Sequence, residues 1–294
     1  MRVEIERARD LRFDDGRPVR AASAVTRFGD GWLIIQDDAT HAAWERPGGI
    51  RPLRVVAAAD GRETFSSAEG TKHLKPDFEA ACEVPGGVLL LGSGSSPARM
   101  RACVVDAEGG FTVADLAPVY DAAAAALGLA PGALNLEGAC VAGGELRWFQ
   151  RGNSGAGVPS ASVDVDLAAL LAVVAGQGAA GDVSVGGVRR YDLGEVGGVA
   201  LAITDAVALP DGRVVVSAAA EDTPNAIDDG PVVGAAVAVL AEGRPPEVAA
   251  LPRPDKIEGL AVRSCDEEGV SLLAVVDADD PAVPSSALDL RLRW

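Results

Sequence analysis

A motif that recurs about every 59 residues is the strongest constraint on how this chain can fold. Each strong copy has a carboxylate, then small apolar residues, a turn that contains glycine, and a β-rich run, and in all but the Asp205 copy a polar or charged residue stands two positions before the carboxylate. The four acids are Glu79, Glu137, Asp205 and Glu258, and a weaker fifth copy has Ser23 in their place. The steps between these positions are 56, 58, 68 and 53 residues, and the residues after Glu258 together with those up to Ser23 make one further period of 59. A period of this length with a β-hairpin in each copy is typical of a β-propeller.

We therefore predict an all-β fold, a five-bladed β-propeller of four-stranded sheets that forms a single domain over residues 1–294. The C-terminal run SSALDLRLRW would supply a strand of the last blade, and the N-terminal run VEIERARDL its outermost strand. Pairing of the two chain ends would close the ring and remove its exposed edges. The alternatives are a six-bladed ring with one degenerate blade and a β-sandwich of unrelated hairpins.

Three segments interrupt the β pattern. The Ala-rich run Asp115–Leu127 ends at Gly128 and predicts a short helix with a glycine cap. The apolar run Asp166–Val174 fits either a helical turn or a strand, because short apolar runs do not separate the two. The Gly-rich stretch 176–187 predicts a loop.

The charge and the cysteines exclude several classes of protein. Acids outnumber bases by 43 to 26, and the net charge of −17 argues against nucleic acid or an anionic membrane as a partner. The N-terminus is charged from its second residue and lacks the apolar core of a secretion signal, so we expect a cytoplasmic protein. The four cysteines form no C-x-x-C pair and there are only two histidines, so a zinc site is not expected. The cysteines are expected to be small buried residues in a reducing compartment.

The repeated acids predict a functional site. In a propeller the innermost strands all start at one mouth of the central channel, so Glu79, Glu137, Asp205 and Glu258 should converge there, with Ser23 as fifth member. Four carboxylates in one concave place favour Ca²⁺ or Mg²⁺, which prefer oxygen ligands. We predict these four acids as metal ligands and as catalytic residues, together with His73. The alternative is that the acids accept backbone N–H groups and hold neighbouring blades in register.

Polar clusters at the ends of the second strands should surround this ring. They are Gln36–Asp38, Ser93–Ser96, Gln150–Asn153, Glu221–Thr223 and Asp277–Asp280. Cationic and polar side chains in or near them could hold a negatively charged substrate. The predicted substrate-binding residues are Lys75, Ser95, Arg99, Arg151, Asn153 and Lys256. The alternative is that these are ordinary solvated loop residues.

The motifs NLEGA and KIEGLA, with DFEAA in the same register, resemble the inner-strand motif of bacterial propeller families described as esterase-like activity of phytase and as SdiA-regulated. The runs KPDFEAAC, LLLGSGSSPAR, SAAAEDTPNAIDDG and VDADDP also resemble uncharacterised bacterial propeller proteins. The resemblance covers most of the chain from residue 72 onward and implies a propeller. For Glu79, Glu137 and Glu258 it implies calcium sites and ester or phosphoester hydrolysis; Asp205 and Ser23 depart from the motif.

Three functions follow as hypotheses. The first is a hydrolase, dependent on a divalent metal, of a small anionic ester or phosphoester at the channel mouth. The second is a non-catalytic propeller that binds a small ligand or a protein partner. The third is a five-bladed glycoside hydrolase that uses two carboxylates. The chain has only four Trp and two Tyr, which leaves few platforms for stacking sugar rings.

Overall fold

The structure is a computed structural model, and it describes residues 1–153, 155–223, 230–278, 280 and 282–294. Strands are numbered along the chain. Five antiparallel four-stranded sheets make up the described part. The protein is a five-bladed β-propeller, as predicted, and the alternatives of a six-bladed ring and a β-sandwich are wrong.

The blades follow one another along the chain. Blade 1 has β2 (Ala22–Phe28), β3 (Gly31–Gln36), β4 (His41–Arg46) and β5 (Gly49–Arg54). Blade 2 has β6 (Phe78–Val84), β7 (Gly87–Gly92), β8 (Arg101–Asp106) and β9 (Phe111–Asp115). Blade 3 has β10 (Leu136–Ala142), β11 (Glu145–Gln150), β12 (Ser160–Val165) and β13 (Val185–Tyr191). Blade 4 has β16 (Ala202–Ala208), β17 (Val214–Glu221), β18 (Val232–Leu240) and β19 (Glu247–Ala250), preceded by the short hairpin of β14 (Glu195–Val196) and β15 (Val199–Ala200).

Blade 5 joins the two ends of the chain. It contains β20 (Ile257–Asp266), β21 (Gly269–Val276), β22 (Ser286–Arg293) and, as its outermost strand, β1 (Arg2–Asp10). Strand β1 runs antiparallel to β22, and the pairing extends from Arg2 opposite Arg293 to Asp10 opposite Ser286. The predicted closure by the terminal strands is therefore confirmed.

The innermost strands form a closed ring around the axis. Contacts run from β2 to β6, β10, β16 and β20 and back to β2. The approach is close, because a Cβ atom added to Gly138 would lie 2.9 Å from the backbone of Asp205 and Ala206, and one added to Gly259 would lie 2.7 Å from that of Ala24 and Val25. This crowding explains why the inner strands are built from glycine, alanine and cysteine just after the repeated acid.

Apolar side chains fill the gaps between neighbouring blades. A separate hydrophobic cluster lies between each pair of adjacent blades, including the pair formed by blades 5 and 1. The cluster between blades 2 and 3 is enlarged by two helices, and there Tyr120 packs edge to face on Trp148 with ring centroids 4.6 Å apart. The core is thus divided into inter-blade layers that hold the ring together.

The two predicted excursions are helices. Helix α1 (Ala117–Leu127) ends at Gly128, whose φ of 70° is left-handed, as the glycine cap predicts. The apolar run that fitted either a helix or a strand forms helix α2 (Leu167–Val174). Asp166 stabilises its start as an N-cap by accepting the N–H of Ala169 at 2.9 Å. Short 3₁₀ turns lie at Lys72–Leu74, Pro97–Arg99 and Ala180–Asp182.

Two smaller predictions need correction. The loop predicted over 176–187 contains a 3₁₀ turn and stops before Val185, where β13 begins. Cys82, Cys103 and Cys140 are buried as predicted, but Cys265 is exposed because it lies near the far end of β20. None of the helices in the described part of the chain is long and apolar enough to span a membrane.

Candidate functional site

A β-bulge in every inner strand positions one side chain at the same level of the channel. The strand register skips one residue in each blade: Ser23, Glu79, Glu137, Thr204 and Glu258. A bulge leaves its extra residue out of the ladder and re-aims its side chain. The glutamates of blades 2, 3 and 5 therefore share one structural position at the mouth where the inner strands begin, which we call the upper mouth.

Asp205 does not share that position. The bulge of blade 4 is at Thr204, so Asp205 lies one residue deeper, and only 1% of it is exposed. Its Oδ2 accepts the backbone N–H of Leu260 in blade 5 at 2.6 Å. Burial, reinforced by the nearby charges of Glu258 and Glu137, raises the pKa of Asp205 well above its usual range. The geometry thus makes Asp205 a contact between blades, as in the alternative considered for all the acids, and does not bring it to the upper mouth.

Hydroxyl groups take the acid's position in the two remaining blades. Ser23 Oγ donates to the carbonyl of Phe78 at 2.6 Å, and Thr204 Oγ1 donates to that of Ile257 at 2.5 Å. Both carbonyls belong to the residue just before the bulge of the next blade. Ser23, expected as fifth member of the ring, therefore ties blade 1 to blade 2.

One group of charged residues, the Lys75 cluster, gathers where blades 1 and 2 meet. Lys75 Nζ forms ion pairs with Asp37, with Asp77 at 2.6 Å and with Glu79 at 3.9 Å. Arg99 adds a second cation, with Nη1 at 2.8 Å from Ser95 Oγ and 3.3 Å from Asp77. Ser93 completes the cluster by donating its hydroxyl to Asp77.

A second group, the Arg151 cluster, lies on blades 3, 4 and 5. Arg151 donates to Glu137 at 2.9 Å and also to Glu221. Lys256 Nζ lies 3.0 Å from Glu258 and 3.4 Å from Glu221. Asn135 donates to the same oxygen of Glu137 as Arg151 does, at 2.7 Å. The other oxygen of Glu137, Oε2, is buried without a hydrogen-bond partner among the described residues.

One carboxyl in each cluster is perturbed toward its protonated form. Burial, followed by the charges of Asp37 and Asp77, raises the pKa of Glu79 well above its usual range. Burial raises the pKa of Glu258 to about 7, with Glu137 acting in the same direction and Lys256 and Arg151 opposing it. The cations show the reverse: burial acts to lower the pKa values of Lys75, Arg151 and Lys256, but the surrounding carboxylates outweigh it and raise them.

The raised pKa values of Glu79 and Glu258 reduce the net negative charge of the upper mouth. Its two clusters hold six carboxyl groups, on Asp37, Asp77, Glu79, Glu137, Glu221 and Glu258, and four cations, on Lys75, Arg99, Arg151 and Lys256. With a pKa of about 7, Glu258 is partly protonated near neutral pH. Such a site can donate and accept protons near neutral pH.

Besides Asp205, two predicted site residues do not join either cluster. His73 is exposed in the 3₁₀ turn Lys72–Leu74. Asn153 is buried, but its Oδ1 accepts the N–H of Ala156 at 2.8 Å and so holds its own loop. Asp279, in the last of the predicted polar clusters, lies outside the described residues.

Five members of the clusters were not among the predicted site residues: Asp37, Asp77, Ser93, Asn135 and Glu221. Asp77 and Asn135 stand two residues before a repeated acid, as Lys256 does, and that spacing is the signal that could have identified them. Asp37, Ser93 and Glu221 belong to the polar ends of the second strands, which the antiparallel pairing brings to the upper mouth. The expectation that these strand ends surround the mouth therefore agrees with the structure.

The described residues contain one group of acids whose oxygens are close enough to share a metal ion. It consists of Asp37, Asp77 and Glu79, with one oxygen of each within 4.8 Å of the others. The ammonium of Lys75 contacts all three of these residues. A divalent ion there would have to displace or repel a buried cation, so the residues present fit a resident metal poorly.

A family model described as a family of unknown function, DUF6910, matches residues 71–281, more than two thirds of the chain. It is neither of the two named families that the inner-strand motif resembles. No protein in a search of curated proteins matches the chain significantly.

Solved structures resemble the chain only distantly. A luciferin-regenerating enzyme is 9% identical with a TM-score of 0.45, over 95% of this chain and 79% of that one. A catalytically inactive virginiamycin B lyase from Staphylococcus aureus, solved with quinupristin, is 9% identical with a TM-score of 0.42, over 97% and 99%. A glycosyl hydrolase from Bacteroides ovatus is 10% identical with a TM-score of 0.42, over 93% and 84%. At these identities and TM-scores the likenesses say nothing about activity.

Proposed function

This chain belongs to the DUF6910 family, whose function is unknown, and from the geometry of the upper mouth we propose that it is a hydrolase of small anionic esters. The observation that carries the proposal is the convergence of the Lys75 and Arg151 clusters, which come from all five blades or their connecting loops, on one end of the channel. Structural ion pairs need not meet in one place, whereas a site that binds and cleaves a ligand needs its groups to converge.

The two perturbed carboxyls take different roles in this proposal. Glu258, with a pKa of about 7, acts as the general base and removes a proton from the water that attacks the ester. Glu79, whose pKa burial raises well above its usual range, donates a proton to the leaving alkoxide. Arg151 and Lys256 lie beside Glu258 and stabilise the negative charge that develops on the attacked group.

In this proposal Arg99 binds the negatively charged group of the substrate. Its contacts within the described part of the chain use Nη1 only, with Ser95 and Asp77, and 22% of its side chain is exposed. Its remaining N–H groups can form the charge-assisted hydrogen bonds that a carboxylate or phosphate accepts in pairs. Ser95 orients the guanidinium.

Calcium or magnesium, predicted from the number of acids, has no step in this mechanism. Lys75 supplies the positive charge that the nearest set of oxygen ligands would otherwise need, and Arg151 and Lys256 do the same for the other cluster. Glycoside hydrolysis is supported less well than ester hydrolysis, because neither cluster contains an aromatic side chain on which a sugar ring could stack.

The test is hydrolysis of p-nitrophenyl acetate and p-nitrophenyl phosphate between pH 5 and 9 in the presence of EDTA. We expect higher activity with the anionic p-nitrophenyl phosphate than with the uncharged p-nitrophenyl acetate, and a loss of about 100-fold or more in kcat for Glu258→Gln, which removes the general base. Arg99→Gln should raise KM for the anionic ester more than it lowers kcat. Glu145→Gln, at an exposed position at the start of β11, is the matched control and should behave like the wild type.

Three outcomes would contradict the proposal. Full activity of Glu258→Gln would remove the general base. Activity that disappears in EDTA and returns with Ca²⁺ or Mg²⁺ would restore the metal-dependent hypothesis. No hydrolysis of either ester would favour a non-catalytic ring that binds a ligand or a protein partner at this mouth.

A further inference from the structure

A second concave site lies at the other end of the inner strands. It is a cavity of about 190 Å³ lined by the segments that follow the bulges in all five blades, and we call it the lower cavity. It is smaller than the ~300–1,000 Å³ typical of sites for drug-sized ligands, so its occupant would be a small molecule.

The lower cavity is separate from the upper mouth. None of its lining residues belongs to the Lys75 or Arg151 cluster. Between the two lies the level at which Gly138 and Gly259 approach the neighbouring strands and Asp205 accepts the N–H of Leu260. A ligand in the lower cavity would therefore not touch the proposed catalytic groups.

Below its rim the wall of the lower cavity has no charged side chain, and it combines polar with apolar surface. Valine and alanine are the commonest lining residues, together with Cys82 and Cys140 from equivalent positions of blades 2 and 3. Burial raises the pKa of both thiols, that of Cys140 to about 12, so neither carries charge near neutral pH. The apolar part of this wall suits a small aliphatic group.

Two opposite charges stand at its rim. Arg27 and Glu83 occupy equivalent positions of the adjacent strands β2 and β6, four residues after the bulge, and both are exposed. Within the described residues neither has an ion-pair partner within 4.0 Å, whereas Arg263 nearby is paired with Asp289 at 2.8 Å. Arg27 is held over the ring of Trp32, another lining residue, at 4.7 Å from its centroid.

We propose that the lower cavity binds a small zwitterion with an aliphatic side chain, that is, an apolar amino acid. The side chain fills the cavity against Cys82 and Cys140, the carboxylate accepts hydrogen bonds from Arg27, and the ammonium pairs with Glu83. An anion alone would meet the charge of Glu83, and an amine alone that of Arg27, so the pair of charges selects a ligand that carries both.

Isothermal titration calorimetry with four probes tests this assignment without any enzymatic readout. L-Leucine should bind, whereas 4-methylvalerate lacks the ammonium, 3-methylbutylamine lacks the carboxylate, and glycine lacks the side chain; each of these should bind at least about 10-fold more weakly. Val207→Phe, which places a ring into the cavity from a half-buried position on its wall, should abolish binding of L-leucine.

Charge variants give a pattern that general damage to the fold cannot imitate. Arg27→Gln should weaken binding of L-leucine and 4-methylvalerate about 10-fold or more and leave that of 3-methylbutylamine unchanged or tighter. Glu83→Gln should weaken L-leucine and 3-methylbutylamine and leave 4-methylvalerate unchanged or tighter. Arg7→Gln and Glu6→Gln, exposed on the outer strand β1, are the controls and should bind like the wild type.

The proposal is overturned if L-leucine does not bind, if glycine binds as tightly as L-leucine, or if both charge variants bind L-leucine like the wild type. Glu258→Gln should bind L-leucine normally, so a failure of the ester hydrolase proposal would leave this one intact.

Discussion

At the scale of single residues, Lys75 changes the interpretation of the acids most. The repeat predicts converging carboxylates, but it does not reveal that a lysine four residues before Glu79 reaches back among them. In the structure Lys75 contacts Asp37, Asp77 and Glu79, with 11% of its side chain exposed. The number of acids can be read from the repeat. The position of the Lys75 ammonium cannot, because it depends on how the backbone around this long, flexible side chain is folded.

Lys75→Met should convert the cluster into a metal site. Removing the cation from buried carboxylates should lower the free energy of unfolding by about 3–5 kcal/mol, the usual cost of breaking a buried ion pair from one side. Millimolar Ca²⁺ should then raise the melting temperature of Lys75→Met, measured by circular dichroism, and leave that of the wild type unchanged. Lys72→Met, at an exposed position in the 3₁₀ turn, serves as control. An equal Ca²⁺ effect on wild type and variant would show that Lys75 does not occupy the position of the ion.

Glu258 gives the stability of the protein a defined dependence on pH. Its pKa is about 7 in the folded state and near 4.5 when unperturbed, so between these values the unfolded chain releases a proton that the folded protein keeps. The contribution of Glu258 to the free energy of unfolding is therefore fully present below about pH 4.5 and is lost as the pH rises to about 7. Above that pH it changes no further. One pKa unit corresponds to about 1.4 kcal/mol, so the loss is on the order of 3 kcal/mol.

Urea denaturation of wild type and Glu258→Gln at pH 4.5, 6 and 7.5 measures this loss directly. As the pH rises, the free energy of unfolding of the wild type should fall relative to that of Glu258→Gln. The difference between the two should stop changing above about pH 7. Glu145→Gln should follow the wild type at every pH. A constant difference between wild type and Glu258→Gln would show that this carboxyl has an ordinary pKa.

At the scale of elements, the β-bulges decide which repeated residue reaches the upper mouth. The motif predicts the level of Glu79, Glu137 and Glu258 but is wrong by one residue in blade 4, where Thr204 takes the bulge and Asp205 faces the next blade. The repeats were aligned on their acidic residues, because the register of a strand is not visible in the sequence. This alignment placed Asp205, and not Thr204, at the position of the glutamates. The register depends on the pairing of β16 with β17, which a single sequence does not reveal.

The close approach of the inner strands predicts an unequal response of two glycines in blade 3. In Gly138→Ala the new Cβ would lie 2.9 Å from the backbone of blade 4, and backbone atoms yield less easily than side chains. We expect the free energy of unfolding to fall by about 1–3 kcal/mol, as for other overpacked cores. Gly186→Ala is the control, since nothing lies within 4 Å of its Cβ position and its φ is not left-handed. Equal urea midpoints for the two variants would contradict this account of the channel.

At the scale of the whole molecule, the sequence repeat was enough to predict the architecture. The period predicted the number of blades and the pairing of the chain ends, because both follow from counting residues around a ring. No sequence pattern predicts the lower cavity. Its small lining residues are of the types found in any core, and Arg27 and Glu83 are of the types found on any surface. The sequence thus predicted the frame of the molecule and one mouth of its channel, and the other mouth required coordinates.

Closure of the ring by strand pairing can be tested with two circular permutants. Arg2 pairs with Arg293, so a short Gly-Ser linker can join the chain ends in both. A permutant that begins at Gly109, in the turn between β8 and β9, builds blade 2 from both new ends and keeps closure by backbone hydrogen bonds. A permutant that begins at Gly132, in the turn between blades 2 and 3, makes every blade contiguous. Its chain ends share no sheet, and blades 2 and 3 are then held by side-chain packing and isolated contacts such as the hydrogen bond from Leu136 N–H to the carbonyl of Ser93 at 2.8 Å. Both turns are exposed or half-buried, so the local cost of opening them is similar. We expect the melting temperature of the second permutant to be lower by about 5 °C or more, and equal melting temperatures would show that packing between the blades suffices to close the ring.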